Sequence, residues 1–303
     1  MDRSQRSELL KIARDKIGFD SSMERYTFFR IGGKAEIICF VDEISLLVQL
    51  VSYFRKEDIP FIAIGKGSNI LVKDKGLKGA VIILKGRLAE IETSPGKKDW
   101  FIAGGGLPVM ELLHYCVQEE LSGLEFMAGI PGTVGGAAVM NAGAYGHEIS
   151  ECIEDVRIVI GQGKKVVLNR SQINFIYRES SIPSGSVVYG VTLKLKRDSR
   201  DKINERVMDC LEKRKETQPI DLPSCGSVFR NPPGDYAGRL IEQAGLKGEK
   251  IGGAMISPKH ANYIVNTGGA RASDILALME LAQKKVNEKF GIKLVPEVKV
   301  VGE

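Results

Sequence analysis

"GIPGTVGGAAVMNAGAYG", residues 129–146, carries six of the chain's 34 glycines. Residues that tolerate positive φ at this density let backbone amides converge on an anion, which is how nests hold phosphate oxygens. Two further clusters precede it, "GKGSN" at 65–69 and "GGG" at 104–106. Singly, each is more often a tight turn than a ligand site, but three within one third of a chain favour a phosphate-bearing ligand. The familiar fingerprints are absent. There is no G-x-x-x-x-G-K-[ST], and "GKGSNI" puts Ile70 where the third glycine of G-x-G-x-x-G belongs. A nucleotide held here is held by neither a P-loop nor a Rossmann turn.

Working outward, the segment before these loops reads as α/β. "EIICFV" (36–41) has strand character, Asp42 is a possible N-cap, and Leu46, Leu47, Leu50, Val51 and Phe54 recur at helical spacing before the strand-like "PFIAIG" (60–65). From 68 to 200 the pattern is mostly short strands, interrupted by one helix over about 108–122, with Pro108 at its start and Gly123 beyond its end. The charged "RDSRDK" (197–202) leads into a helix over 203–216, so a domain boundary is expected near 200. A last helix is predicted over 274–290, capped by Ser273 and ended by Gly291. The extended tail "KLVPEVKVVG" is expected to return to an earlier sheet.

The 303 residues suffice for two or three domains, and 43% hydrophobic with 27% charged residues is ordinary globular composition. The five cysteines are an odd number without a C-x-x-C, and with only three histidines no metal site is expected. Reduced thiols and the lack of an ~18-residue apolar run or leader-like segment point to a soluble cytoplasmic protein without a membrane partner. The net charge of +5 is scattered, and its densest cluster, "EKRKE" (212–216), is interleaved with glutamates. A solvated helix face explains it better than a nucleic-acid footprint.

Few ionisable residues invite chemistry. His114, His147 and His260 have no ligand spacing and read as structural. Arg178 in "FIYRES" is either a surface ion-pair partner or an anion clamp. Glu297, in the otherwise apolar "LVPEVKVV", is at an exposed edge or buried for a purpose. Ser227, in "SCGSVFRNPPGDYAG" (224–238), fits a turn in which serine bonds a nearby amide.

Seven motifs then occur in a family order: "TFFRIGGKAE" (27–36), "GKGSNILVKD" (65–74), the glycine segment 129–146, "YRES" (177–180), "CGSVFRNP" (225–232), "SPKHANYIVN" (257–266) and "PEVKVVG" (296–302). In these the chain resembles the UDP-N-acetylenolpyruvoylglucosamine reductases, flavoenzymes that make UDP-N-acetylmuramate for bacterial peptidoglycan. The resemblance is to the shorter of two classes, which lacks a tyrosine-bearing insertion at the substrate site.

That resemblance implies an α+β chain with the FAD-binding fold of the p-cresol methylhydroxylase/vanillyl-alcohol oxidase type and a separate C-terminal α/β substrate domain. The expected divisions are 1–80 and 81–200 for flavin, the latter joined by the tail 293–303, and 201–292 for substrate. FAD, held non-covalently, is expected against Gly65, Lys66, Gly67, Ser68 and Asn69, and against Gly129, Pro131, Gly132, Thr133, Gly135, Gly136, Ala142 and Gly143. NADPH is the implied hydride donor and UDP-N-acetylglucosamine enolpyruvate the substrate, with Asn231 and Lys215 (or Lys213) near its diphosphate.

The family's catalytic positions fall on Arg178, Ser227 and Glu297. Hydride addition to the enol ether leaves negative charge beside its carboxylate, which Arg178 and a protonated Glu297 suit; Ser227 is implied as the general acid. A monomer is expected. The alternatives are a sugar or lactone oxidase of the same fold and a non-catalytic nucleotide-diphosphate binding module.

Overall fold

The computed structural model describes residues 1–94 and 96–303, which divide into two units: residues 1–19, 36–66 and 79–212, and residues 20–35, 67–78 and 213–303. Each unit is assembled from discontinuous pieces of chain.

The first unit contains two sheets. In the four-stranded one the order is Ile17–Ser22, Lys34–Val41, Leu77–Leu84, Phe61–Ala63, the last two strands running parallel. Helix Ile44–Lys56 lays Leu46, Leu47, Leu50, Val51 and Phe54 into this sheet's core, the i, i+3, i+4 stripe its sequence predicts. Its N-cap is Glu43 rather than Asp42, whose carboxylate instead pairs with Lys16 at 2.7 Å. The second sheet is antiparallel, in the order Lys164–Asn169, Ile153–Ile160, Val187–Lys194, Lys97–Gly104, Ile91–Ser94. Phe101, Ala103, Val156, Ile158, Val191 and Leu193 form its buried face, under helix Val109–Gln118. The chain passes from the first sheet to the second between Leu84 and Ile91, and both sheets belong to one unit.

The change of unit near the boundary expected at 200 lies inside helix Arg200–Thr217, between 212 and 213. Composition shifts at 197–202, but Ile203 and Val207 bury themselves in the core of the antiparallel sheet and keep the first turns of the helix with it. Packing, not charge, sets the division.

In the second unit, strands Ser224–Ser227, Tyr263–Asn266, Ala254–Ile256 and Lys250–Ile251 form an antiparallel sheet. Helices Ala237–Gln243 and Ala272–Phe290 share its core, the latter through Ile275, Leu278, Met279, Ala282 and Val286. Gly291 ends this helix at φ 68°, as expected. Ser273 does not cap it: the N-cap is Arg271, and the amides of Ala272 and Ser273 both donate to the Asp74 carboxylate, at 2.8 and 3.1 Å.

The tail also departs from expectation. Lys299–Val301 pairs in parallel with Ile70–Val72 and does not join the sheet of residues 91–194. Leu294 and Val298 are buried in the C-terminal core, and Pro296 bridges Phe229, so the tail is fastened to the C-terminal unit before it reaches its partner strand. No helix among the described residues is long and apolar enough to cross a membrane.

Candidate active site

Why a serine stands between a glycine and a Val-Phe pair is answered by the strand it ends. Ser224 pairs with Val265, but Ser227 pairs with Tyr263, so three steps on one strand match two on the other. The extra residue is a bulge, and Gly226 sits in it at φ 79°, in the left-handed region where a side chain would be strained. A bulge re-aims the residue that follows it, and that residue is Ser227. Val228 and Phe229, both buried, anchor the far side. Asn262 locks them: its carbonyl accepts from the Val228 amide at 2.8 Å, while its side chain accepts from the Phe229 amide at 3.0 Å and donates to the Phe229 carbonyl at 2.8 Å. Ser227 is thus half-buried on a backbone pinned from both sides.

Glu297 arrives beside it. Its amide donates to the Val228 carbonyl at 2.8 Å, and Arg230 donates to Val295 at 2.9 Å. Asn69, expected against the flavin, donates from Nδ2 to the Glu297 carbonyl at 3.2 Å, and the Lys299 amide donates back to the Asn69 carbonyl at 3.0 Å. Two of the three expected catalytic residues, Ser227 and Glu297, are therefore brought together within the C-terminal unit.

Tyr263, paired with Ser227 across the strands, and Arg214, whose charge reaches Tyr263, are residues that reading the sequence passed over. Tyr263 is buried, and desolvation pushes its phenol up to about 12, opposed by the Arg214 guanidinium and by the nearby Ser227 hydroxyl. Period-two alternation along "NYIV" would have placed Tyr263 on one strand face, but only the bulged register sets it opposite Ser227. Burial likewise drives the Cys225 thiol upward, with the Glu297 carboxylate adding to the rise. His260 stacks edge-on to Tyr263, ring centroids 4.9 Å apart, and burial lowers its pKa, so it stays neutral at pH 7.

Arg178 belongs to the other unit, where it occupies the second loop position of the hairpin Phe175–Ile176/Glu179–Ser180. Its φ of 59° is a place usually taken by glycine or asparagine. The guanidinium donates to the Gly143 carbonyl at 2.8 Å and lies 4.9 Å from the Tyr177 ring centroid. Ser180 and Asn141 add further bonds between hairpin and glycine segment, from Ser180 Oγ to the Val139 carbonyl and from Asn141 Nδ2 to the Ile176 carbonyl. "YRES" and "MNAGAYG" are one constellation. A strained backbone at a residue held this way is a mark of functional sites.

The glycine clusters divide by what their amides do. Those of Gly104, Gly105 and Gly106 donate to Glu90, Tyr189 and Leu88, so "GGG" is a packing element and not a nest. By contrast, among the described residues, no backbone carbonyl accepts from the amides of Gly65, Lys66, Gly132 or Thr133. These two loops adjoin: a Cβ on Gly65 would stand 2.3 Å from Thr133 Oγ1. Adjacent loops with undirected amides, ahead of the short helix Val134–Val139, fit a diphosphate. Gly135 and Gly143 serve chiefly close packing, against the Gly105 and His147 carbonyls. Gly67 does the same in its own unit, at φ 65° and with the Tyr26 carbonyl 2.1 Å from where a Cβ would stand. Gly129 donates to Met110 Sδ, Gly136 lies in the short helix, and Ala142 donates to the Ala137 carbonyl.

The remaining expected contacts are less committed. Asn231 accepts from the Ala237 amide at 3.0 Å through Oδ1, capping the turn into helix Ala237–Gln243. Lys215 is exposed on helix Arg200–Thr217, its carbonyl accepting from Lys259. Burial pushes the Cys152 thiol up to about 11, which makes it a poor nucleophile at neutral pH.

Comparison with known proteins places this geometry among relatives. Residues 35–169 match the description "FAD binding domain", and residues 218–301 match "UDP-N-acetylenolpyruvoylglucosamine reductase, C-terminal domain". The UDP-N-acetylenolpyruvoylglucosamine reductase of Caldanaerobacter subterraneus subsp. tengcongensis is 41% identical over 297 residues, covering 98% of this chain and 96% of its own. That of Clostridium botulinum strain Hall is 41% identical over 293 residues, covering 96% and 94%. The crystal structure of UDP-N-acetylenolpyruvylglucosamine reductase from Thermus caldophilus superposes with a TM-score of 0.79 at 36% identity, covering 94% of this chain and 98% of that one.

Proposed function

Since this chain belongs to the UDP-N-acetylenolpyruvoylglucosamine reductase family, and is thus an FAD-containing, NADPH-dependent oxidoreductase of peptidoglycan precursor synthesis, we propose how its own residues carry the reaction. When bound, FAD would supply the hydride chemistry, linking NADPH to the terminal alkene carbon of the enolpyruvyl ether of UDP-N-acetylglucosamine enolpyruvate.

Ser227 then gives its proton to the carbon beside the substrate carboxylate. A serine hydroxyl is a very weak acid, but the acceptor is strongly basic, and the pinned bulge holds the hydroxyl in one place. Arg178 binds the substrate carboxylate, where negative charge develops, and Glu297, protonated, donates to the same charge. Preorganised donors of this kind need no reorganisation during reaction. The observation that carries the reading is the shared carbonyl of Val228, which follows Ser227 directly and accepts the Glu297 amide.

Flavin diphosphate binding, without a covalent link, is assigned to the amides of Gly65, Lys66, Gly132 and Thr133. Asn231 and Lys215 are assigned to the substrate diphosphate. Substrate binding is assigned to the chain beyond helix Arg200–Thr217, with the tail included. The enzyme is proposed to work as a cytoplasmic monomer, and its five cysteines, all free thiols, fit a reducing compartment.

The test is the anaerobic visible spectrum, recorded before and after NADPH and again after the enol ether. Flavin bands that bleach with NADPH and return only on adding the enol ether support the scheme. Bands that ignore the enol ether and return in air would replace it with the oxidase reading.

A further inference from the structure

Tyr263 is directly opposite Ser227 across the antiparallel pair, so the two side chains stand on one face of the sheet. Its strand neighbours Ile264 and Val265 are buried apolar residues, and Tyr263 itself is 9% exposed. A phenylalanine would fill that space without bringing a hydroxyl that must find a partner, since a buried hydroxyl left unpartnered is destabilising. The hydroxyl it faces across the strand pair is that of Ser227.

The surroundings suit a phenol that gives up a proton for a moment. Desolvation keeps Tyr263 neutral at rest. Arg214, itself buried, acts the other way and would offset the charge of a phenolate. His260 packs edge-on as a neutral ring.

We propose that Tyr263 is the positioning residue for Ser227, orienting the serine hydroxyl and replacing the proton that the serine donates. The inference rests on Ser227 acting as general acid. Once Ser227 has protonated the substrate carbon it is an alkoxide, a much stronger base than a phenolate. The O–H bond of Tyr263 breaks, a new O–H bond forms at Ser227 Oγ, and the electron pair stays on the phenolate beside Arg214. Solvent then returns a proton to Tyr263.

The test is stopped-flow spectroscopy of the flavin-loaded protein, following reduction by NADPH and reoxidation by the enol ether separately. For Tyr263→Phe, reduction should keep its wild-type rate and reoxidation should slow about tenfold, within the usual range of pair coupling. The double variant Ser227→Ala/Tyr263→Phe should be no slower than Ser227→Ala, because the phenol acts only through the serine. Difluorotyrosine at 263, isosteric with tyrosine and more acidic, should recover the reoxidation rate that phenylalanine loses. Its fluorine resonance provides a readout without turnover, with Ser227→Ala raising the pH at which that phenol ionises.

Three results overturn the proposal. Wild-type reoxidation by Tyr263→Phe alongside a slow Ser227→Ala would leave Ser227 as the acid and remove Tyr263 from the chemistry. Equal slowing of both half-reactions would assign Tyr263 to packing alone. Wild-type reoxidation by Ser227→Ala would remove the serine reading itself, and the role of Tyr263 with it.

Discussion

Asn69 Nδ2 donates to the Glu297 carbonyl across 228 positions of sequence, at 3.2 Å, so a glycine-loop residue is one of the ties that set a proposed catalytic carboxylate. Asn69→Ala removes that donor from a part-buried site. The expected loss is about 1 kcal/mol, seen as a fall in Tm of roughly 2–4 °C. Reoxidation by the enol ether should slow more than reduction by NADPH, which stopped-flow absorbance separates.

Gly226 holds the bulge at φ 79°, and a Cβ there meets no atom within 4 Å. Gly226→Ala is therefore strained without a clash, at a cost of about 1–2 kcal/mol by thermal denaturation. Relief of that strain would rotate the bulge, and with it Ser227. The second half-reaction should fall further than stability does.

At Arg178 stability and function pull apart. With φ at 59°, Arg178→Gly and Arg178→Ala both delete the guanidinium, but only glycine relaxes the backbone. The glycine variant should be the more stable of the two by about 1–2 kcal/mol in denaturant titration. Both should lose at least ~10²-fold in turnover if, as proposed, the guanidinium is aimed at the developing charge. Equal stability of the two variants would show that the left-handed backbone is not strained.

Gly65→Ala would drive its new methyl onto Thr133 Oγ1, 2.3 Å away. Flavin retention on gel filtration, read as the ratio of visible to ultraviolet absorbance, should drop. Adding Thr133→Ala removes the two nearest clashing atoms and should restore part of that flavin.

Away from the site, Arg206 donates to Glu125 at 2.8 Å and to Asp198 at 2.7 Å. Burial pushes the Glu125 carboxyl up. Its own backbone, Arg206, the Gly123 amide and the Ser122 hydroxyl outweigh that, and hold it below the ordinary carboxylate range. A depressed carboxyl contributes stability that is present above its unfolded pKa and lost as pH falls through the folded value. Arg206→Ala should cost about 2 kcal/mol at pH 7, less than the 3–5 kcal/mol of a fully buried pair because the guanidinium is 42% exposed. That difference should shrink on acidification below the carboxylate range, as followed by circular dichroism.

Local pattern was enough for the helices Ile44–Lys56, Val109–Gln118 and Ala272–Phe290, for the absence of P-loop and Rossmann turns, and, through ordered motifs, for the family. Apolar spacing and turn chemistry are properties of neighbouring residues, so they survive in a string of letters. What lay beyond reach was every relation between distant segments. The tail's choice of Ile70–Val72 depended on Leu294 and Val298 finding the C-terminal core, and the unit boundary inside Arg200–Thr217 depended on where Ile203 and Val207 could be buried. Asp74, not Ser273, caps the last helix because a carboxylate 198 residues away reaches its amides. Of the three glycine clusters, composition could not say that 104–106 spends its amides on the fold while 65–66 and 132–133 do not. Likewise, Tyr263 is an unremarked strand residue until a one-residue bulge at Gly226 shifts the register and sets its phenol against Ser227. Sequence records which residues are available, while register and burial, which depend on the whole chain's packing, decide which of them meet.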